Sequence, residues 1–318
     1  MKHKDFIEIH DYSAGEVREI FEIARDMKAN PETYRDALKG QTLAMIFEKS
    51  STRTRVSFEV GMFQMGGHAL FLSSRDIQLG RGEPIYDTAK VLSRYVNGIM
   101  ARTFAHKTVT DLAEYASVPV INGLTDLSHP TQAMTDYFTA WEHLGDLKGR
   151  KYVLTWTYHP RPLNTAVANS ALMIATRYGM DVTLLCPTPE YVLDPRYMDF
   201  ARRNVAENGG SLKISHDVDE AYRGAEVVYA KSWGAIPYFG RWGEEKPIRD
   251  RYRDFIVDER KMALTSGAVF SHCLPLRRNV KATDAVMDSK ACIAVDEAEN
   301  RLHVQKAIMA ALVKGAVQ

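Results

Sequence analysis

Hydroxyl groups and arginines are concentrated in a short segment after the first apolar run of the chain. The run Leu43–Phe47 leads into Ser51–Arg55, whose sequence STRTR has three hydroxyls and two guanidinium groups. If a helix begins there, its first turn adds free backbone N–H groups and the positive end of a dipole. These donors favour a phosphate-sized anion over the simpler interpretation, an N-cap serine followed by solvated arginines. The glycines of a Walker loop are not present, so a different kind of phosphate site is predicted.

Further polar residues follow other apolar runs. Arg102 comes directly after Gly98–Ala101, His129 and Gln132 belong to a His-Pro-Thr-Gln segment, and Cys273 follows a later run. Each has an ordinary interpretation on its own: a surface arginine, a structural histidine, a residue in a first helical turn, a buried thiol. In open parallel sheets, ligands bind beyond the carboxyl ends of the strands. The position of these residues after strands therefore makes them candidates for a functional site.

Short apolar runs alternate with amphipathic stretches along the whole chain. Strands are predicted at Leu43–Phe47, Ala69–Leu72, Gly98–Ala101, Val118–Ile121, Tyr152–Trp156, Val182–Leu185, Val227–Ala230, Val269–Ser271 and Cys292–Val295. Helical periodicity lies between them, as in Val56, Val60 and Phe63. The alternation of strand and helix predicts parallel sheets covered by helices on both faces.

The length of 318 residues favours two domains over a single core. The segment Leu144–Lys151 combines the end of a helix with the start of a strand, so the predicted domains are residues 1–147 and 148–318. The last helical pattern, Glu299–Val313, is expected to pack across the molecule as well as on its own domain.

Composition excludes several classes of function. Lys+Arg is 41 and Asp+Glu is 40, which argues against broad nucleic-acid binding. No apolar run approaches the roughly 20 residues that span a bilayer, and the first residues do not resemble a signal peptide. Cys186, Cys273 and Cys292 do not form a disulfide or zinc pattern. We therefore expect a cytoplasmic protein without metal, cofactor or membrane contact.

Five segments, in order, resemble the aspartate/ornithine carbamoyltransferase family, and the resemblance covers nearly the whole chain. They are Ser51–Arg55, Asp76–Pro84, Arg102, His129–Gln132 and His272–Pro275, the last being a signature of the ornithine branch. Five ordered matches are far more specific than any one of them. The resemblance implies an α/β fold of two doubly wound parallel-sheet domains, the first binding carbamoyl phosphate and the second the acceptor. It also implies a carbamoyltransferase.

The resemblance also implies roles for individual residues. Thr54, Arg102 and His129 would meet the carbonyl oxygen of carbamoyl phosphate, where negative charge develops when an amine attacks. The carbamoyl NH2 group would contact Gln132 and would donate hydrogen bonds to backbone carbonyl oxygens of the second domain. The implied carbamoyl-phosphate residues are Ser51, Thr52, Arg53, Thr54, Arg102, His129, Gln132, Cys273, Leu274 and Arg301.

The second half closely resembles N-acetylornithine carbamoyltransferase. The matching segments are Trp156–Asn164, Tyr229–Ala235 and His272–Lys281. Ordinary ornithine enzymes carry an aspartate where this chain has Lys231, and a lysine would repel an α-ammonium group but suit the carboxylate of an N-acylated acceptor. In that subfamily Trp156–Asn164 belongs to a deep knot, and Lys281 matches a lysine that becomes carboxylated. The implied acceptor-binding residues are Lys231, Leu274, Arg277 and Lys281.

The first half looks more like ornithine carbamoyltransferase. Gln78–Pro84 matches a mobile loop that a neighbouring subunit contributes, with Arg81 as its site residue and without the tryptophan-bearing insertion of acetylornithine enzymes. Thr125–Ser128 replaces a segment in which those enzymes carry a substrate-contacting glutamate. Gly82 and Pro84 lie where acetyl and succinyl selectivity is set. The resemblance implies a homotrimer with shared sites.

The predicted reaction is the transfer of a carbamoyl group from carbamoyl phosphate to N-acetyl-L-ornithine, giving N-acetyl-L-citrulline and phosphate in arginine biosynthesis. N-acetyl-L-ornithine is the first choice of acceptor because the second half of the chain is expected to hold most of the acceptor. Ornithine is the second choice and N-succinylornithine the third. A non-enzymatic phosphometabolite-binding protein on the same scaffold is the alternative of a different class. It is disfavoured by the presence of Thr54, Arg102, His129, Gln132 and Arg301. A nucleotide-binding enzyme is disfavoured because no GxGxxG follows the candidate strands.

Overall fold

The computed structural model describes residues 3–313, which fall into two compact units. Unit 1 extends to Thr135 and resumes at Glu299, and unit 2 comprises Asp136–Ala298. Each unit contains a parallel sheet with helices, so the predicted α/β class with two parallel-sheet domains is confirmed. The knot and the functional boundary between residues 147 and 148 stay predictions. No helix in residues 3–313 is long and apolar enough to cross a membrane.

Unit 1 contains a four-stranded parallel sheet in the order β2-β1-β3-β4. Its strands are β1 Thr42–Phe47, β2 His68–Ser73, β3 Gly98–Arg102 and β4 Val120–Leu124. Its helices are α1 Ala14–Ala29, α2 Thr52–Gln64, α3 Ile85–Leu92 and α4 His106–Tyr115. Helix α5, Pro130–Leu144, begins in unit 1 and continues into unit 2.

Unit 2 contains a five-stranded parallel sheet in the order β7-β6-β5-β8-β9. Its strands are β5 Lys151–Trp156, β6 Asp181–Leu185, β7 Ser211–Ser215, β8 Val227–Lys231 and β9 Val269–Ser271. Its helices are α6 Ala166–Arg177, α7 Pro195–Asn208, α8 Val218–Tyr222, α9 Trp242–Arg249, α10 Glu259–Ala263 and α11 Asp284–Met287. The last helix, α12 Ala294–Val313, begins in unit 2 and ends in unit 1.

The structure differs from the strand predictions in two places: one predicted strand is not formed, and one strand was not predicted. The run Cys292–Val295 is not a strand: Cys292 forms one isolated bridge to Phe270, and Ala294 already begins α12. Four apolar residues are too few for periodicity to separate a strand from a helix start. Strand β7 was missed because its sequence SLKIS is half polar, as suits an exposed edge strand.

Gly61 lets α2 pack closely against α12 within unit 1. A Cβ at Gly61 would lie 2.9 Å from Met309 Cε and 3.1 Å from Lys306 Cγ. We expect Gly61→Val to lower the free energy of unfolding by about 1–3 kcal/mol, because overpacking forces side chains out of their rotamers. Urea unfolding checks this against Gly15→Ala on α1, whose new Cβ meets only Ser13 Oγ at 3.9 Å. A Gly61→Val protein as stable as the parent would contradict the close packing.

Candidate active site

The loop after β1 and the first turn of α2 form one side of the candidate site in unit 1. Ser51 is the N-cap of α2, and its Oγ accepts a hydrogen bond from the Thr54 N–H at 3.3 Å. Thr54 is fully buried, Arg53 is half-buried and Thr52 is exposed. A helix does begin where the hydroxyl-rich segment lies, and its first turn provides the N–H groups on which a phosphate site depends.

Arg301 of α12 links two of the candidate residues within unit 1. Its guanidinium donates to Thr54 Oγ1 at 2.9 Å and to Gln132 Oε1 at 2.8 Å. The Gln305 amide lies between Arg301 and Ser57, with its oxygen 2.8 Å from a terminal guanidinium nitrogen in the orientation that satisfies both neighbours. Because Thr54 Oγ1 accepts from Arg301, the Thr54 O–H can be directed as a donor to a substrate oxygen.

Parallel pairing places Arg102 beside the end of β1. The register pairs Arg102 with Phe47, and the Glu48 N–H donates to the Arg102 carbonyl at 2.9 Å. Burial, and then the nearby positive charge of Arg102, lowers the pKa of Lys49. Two cations thus lie close together at the carboxyl end of the unit 1 sheet, which favours an anion there.

His129 directly precedes α5 and is 4% exposed. Its Nδ1 lies 3.4 Å from Thr131 Oγ1. Gln132, three residues further, is 1% exposed in the first turn of the same helix. The start of α5 therefore positions both side chains of the His-Pro-Thr-Gln segment.

Two other arginines of the first half have different surroundings. The Arg55 guanidinium lies over the Phe71 ring at 3.8 Å, and its Nε is 3.4 Å from the Glu59 carboxylate. Its charge is thereby partly neutralised on the outer face of α2, instead of adding fully to the anion site. Arg81 is exposed at the end of a 3-10 turn, Gln78–Arg81.

A second group of cations lies in unit 2. Lys231 ends β8, and its Nζ donates to Cys273 Sγ at 3.6 Å. Burial, and then the charges of Lys231 and Arg277, lowers the pKa of Lys281 to about 7. Burial also lowers the pKa of His159, assisted by the same three cations. Cations held this close favour a bound carboxylate, which would relieve their mutual repulsion.

The backbone of the His272–Pro275 segment adopts an unusual conformation. Leu274 has φ 42°, in the left-handed region that non-glycine residues rarely occupy, and the Leu274–Pro275 bond is cis. The Leu274 N–H donates to His272 Nδ1 at 2.9 Å. A left-handed φ at a leucine is a local strain of the kind that clusters at functional sites.

Sequence reasoning did not single out Lys49, His159 or Gln305. Gln305 follows Arg301 by one helical turn, so spacing on α12 could have suggested it. Lys49 and His159 lie inside segments whose importance was already recognised, but their proximity to Arg102 and Lys281 depends on the fold.

The lowered pKa of Lys281 predicts a pH-dependent stability. An unfolded lysine titrates near 10.5, so between pH 7 and 10 the unfolded chain binds more protons and the folded protein gains stability as pH rises. Lys281→Met should therefore raise the free energy of unfolding by roughly 2–5 kcal/mol at pH 6, and by much less at pH 10. Urea unfolding at both pH values in CO2-free buffer measures this. A gain that is equal at both pH values would contradict it.

Comparison with known proteins identifies relatives along the whole chain. Residues 4–142 match the carbamoyl-P binding domain of the family described as Aspartate/ornithine carbamoyltransferase, and residues 154–312 match its Asp/Orn binding domain. The N-acetylornithine carbamoyltransferase of Xanthomonas campestris pv. campestris is 57% identical over 98% of this chain and 98% of its own. The ornithine carbamoyltransferase of Pyrococcus horikoshii is 46% identical over 99% of this chain and 97% of its own.

A solved structure shares the fold closely. The crystal structure of acetylornithine transcarbamylase complexed with acetylcitrulline has a TM-score of 0.94 and 57% identity, covering 98% of this chain and 99% of its own. The alignment with the Xanthomonas protein spans 337 positions, 19 more than the 318 residues of this chain. That relative therefore has at least 19 residues without a counterpart here, whereas the Pyrococcus alignment spans 319 positions.

Proposed function

The chain belongs to the aspartate/ornithine carbamoyltransferase family, and we propose that it transfers the carbamoyl group of carbamoyl phosphate to the side-chain amine of N-acetyl-L-ornithine. The products are N-acetyl-L-citrulline and phosphate, a step in arginine biosynthesis. The choice of acceptor rests on one observation, the positive charges of Lys231 and Arg277, which lie close enough to Lys281 to lower its pKa. These charges suit the carboxylate of an acceptor whose α-nitrogen is acylated and uncharged.

In this proposal, unit 1 provides most of the carbamoyl-phosphate site. The N–H groups and side chains of Ser51–Thr54 hold the phosphate, while Thr54, Arg102 and His129 donate to the carbonyl oxygen. The contact of Arg301 with Thr54 supports this assignment, because it fixes the orientation of the hydroxyl before substrate binds.

The proposed reaction is a nucleophilic substitution at the carbonyl carbon. The amine nitrogen forms the new C–N bond, negative charge develops on the carbonyl oxygen, and the C–O bond to phosphate breaks. Donors already aimed at that oxygen are the main expected source of rate acceleration. The attacking nitrogen loses one proton, which the departing phosphate can accept.

Neutral amine must be available to attack, although an alkyl ammonium group has a pKa near ~10. The cations of unit 2 would lower the pKa of a bound acceptor ammonium, as they lower the pKa of Lys281. The same cations would therefore both bind the acceptor carboxylate and favour the neutral form of the acceptor amine.

The acceptor is tested by supplying carbamoyl phosphate with N-acetyl-L-ornithine, ornithine or N-succinylornithine and measuring phosphate and ureido product. We expect the highest kcat/KM with N-acetyl-L-ornithine. A higher value with either of the other two would reject this acceptor but keep the carbamoyl transfer. No phosphate release above background with any of the three would reject the transfer itself and favour a binding protein.

We also propose a homotrimer in which each site receives Arg81 from a neighbouring subunit. The outer face of α2 and β2 supports this, because Val56 is 51%, Phe63 80% and Phe71 38% exposed beside a groove of about 870 Å³. Apolar side chains grouped on a surface are typical of association sites. The periodicity of Val56, Val60 and Phe63 predicted an apolar face on this helix. In this proposal that face packs against a partner copy, and not against the core of its own chain.

Mixing two inactive variants tests the shared site. Arg81→Ala and Arg102→Met should each have about 1% of parental activity or less, but trimers reassembled from an equal mixture should recover activity in about one quarter of their sites. Each variant dissociated and reassembled alone is the control. Reassembled mixed trimers without activity would contradict the contribution of Arg81 from a neighbour.

Lys281 is also proposed as a site of carboxylation. A pKa of about 7 leaves much of its amine neutral at physiological pH, and the neutral amine is the form that adds CO2. NMR of protein equilibrated with 13C-bicarbonate would detect the carbamate, with Lys281→Met as the control. An identical spectrum for both proteins would reject the modification.

A further inference from the structure

Asp136 and Glu297 are buried carboxyl groups of unit 2 that have no role in the proposed reaction. Asp136 lies on α5 and is 5% exposed, and Glu297 lies on α12 and is 1% exposed. Burial disfavours the charged form of a carboxyl group, so buried carboxyl groups usually adopt a special protonation state or a specific set of hydrogen bonds.

Glu297 is bonded to the chain at the point where β9 leads into the His272–Pro275 segment. Its Oε1 is hydrogen-bonded to the Ser271 hydroxyl, and its Oε2 accepts the His272 N–H at 3.2 Å. His272 Nδ1 in turn accepts the Leu274 N–H at 2.9 Å. Glu297 therefore holds the start of the segment whose carbonyls, at Cys273 and Leu274, are proposed to meet the carbamoyl NH2 group.

The surroundings of Glu297 favour its neutral form. Burial, and then the nearby Asp136, raises the pKa of Glu297 well above its ordinary range. Burial likewise raises the pKa of Tyr152 and Tyr229, so these neighbours stay neutral too. Titratable residues close to Glu297 include His272, whose N–H it accepts, Asp136 on α5, Tyr152 on β5, Tyr229 on β8, Cys273 after β9 and Cys292 before α12.

We propose that Glu297, as a neutral carboxylic acid, is a positioning residue for the His272–Pro275 segment. Its carbonyl oxygen accepts the His272 N–H, and its acidic O–H donates to the Ser271 hydroxyl oxygen. A carboxylic acid can supply one donor and one acceptor, whereas a carboxylate can only accept. The segment is thereby fixed before substrate binds, which matters if its carbonyls orient carbamoyl phosphate. This inference rests on the proposed function.

Neutral and charged forms of Glu297 are distinguished by Glu297→Gln and Glu297→Ala. Glutamine also offers one donor and one acceptor, so Glu297→Gln should keep kcat/KM for carbamoyl phosphate within about 3-fold of the parent. Alanine leaves the His272 N–H buried without this acceptor, so Glu297→Ala should lower kcat/KM by about 10- to 100-fold, largely through KM. Glu299→Gln, an exposed glutamate on the same helix, is the matched control.

The pH dependence of stability gives a second measurement that does not need activity. The pKa of Glu297 is raised in the folded protein. Its contribution to the free energy of unfolding is therefore fully present below about pH 4.5 and is lost as pH rises toward the folded pKa. The Tm of Glu297→Gln relative to the parent should therefore increase as pH rises. This measurement remains available if Glu297→Ala does not fold.

Two outcomes would overturn the inference. One is a Glu297→Gln protein as impaired as Glu297→Ala, since that would mean that a negative charge is needed. The other is a pH-independent difference in Tm between Glu297→Gln and the parent. If the parent itself releases no phosphate with any acceptor, the proposed function fails instead, and the Tm comparison still tests the protonation state of Glu297.

Discussion

Replacing Arg102 with methionine is expected to lower kcat by about 10²- to 10³-fold, the loss typical when one donor to a developing oxyanion is removed. Arg102 ends β3 beside the start of the hydroxyl-rich segment, and it is close enough to Lys49 to affect the pKa of that lysine. Steady-state phosphate release with saturating N-acetyl-L-ornithine would measure the effect.

Arg25→Met is the matched control for Arg102→Met. Arg25 lies on α1, its side chain is 60% exposed, and it pairs with Glu22 at the surface. Exposed ion pairs of this kind contribute little to stability, so this variant should behave like the parent. An Arg102→Met enzyme with unchanged kcat would remove Arg102 from the proposed chemistry.

Replacing Lys231 with methionine is expected to change the choice of acceptor. The carboxylate of N-acetyl-L-ornithine would lose a positively charged partner, a loss of about 2–5 kcal/mol, so its kcat/KM should fall by about 30- to 5,000-fold. Ornithine should be affected less, because an uncharged side chain at this position does not repel its α-ammonium group. The ratio of kcat/KM for the two acceptors is the measurement that separates this effect from general damage.

Lys213→Met is the corresponding control in the same unit. Lys213 lies on the edge strand β7, with its side chain 57% exposed. Both acceptors should keep their parental kcat/KM in this variant. A Lys231→Met protein that loses activity equally with both acceptors would show that Lys231 does not bind the acyl-amino-acid end of the acceptor.

Local features of the fold could be read from the sequence because their causes are local. The apolar run Leu43–Phe47 forms β1, and Ser51 caps the helix that follows, as the hydroxyl-rich segment indicates. The alternation of strands and helices likewise predicts two parallel sheets. Cys292–Val295 shows the limit, since a short apolar run serves a strand and a helix start equally well.

Contacts between distant segments could not be read in the same way. Arg301 and Thr54 are separated by 247 positions, so only the family resemblance, and no spacing rule, could place Arg301 in the site before the fold was known. Glu297 would be interpreted from sequence as an ordinary acidic residue near a helix N-terminus, favoured by the dipole. Its burial and its bond to the His272 N–H depend on how α12 packs on β9 within unit 2.

Unit 1 is discontinuous, and this has a consequence for synthesis on the ribosome. Its first part ends at Thr135, but Arg301 and Gln305 emerge only after all of unit 2 has been made. At about 5–20 residues per second, the nascent first segment waits roughly 10 to 30 s for its closing helix. Throughout that interval Thr54 and Gln132 lack the guanidinium that joins them in the finished protein, so a nascent chain stalled before α12 should not retain carbamoyl phosphate.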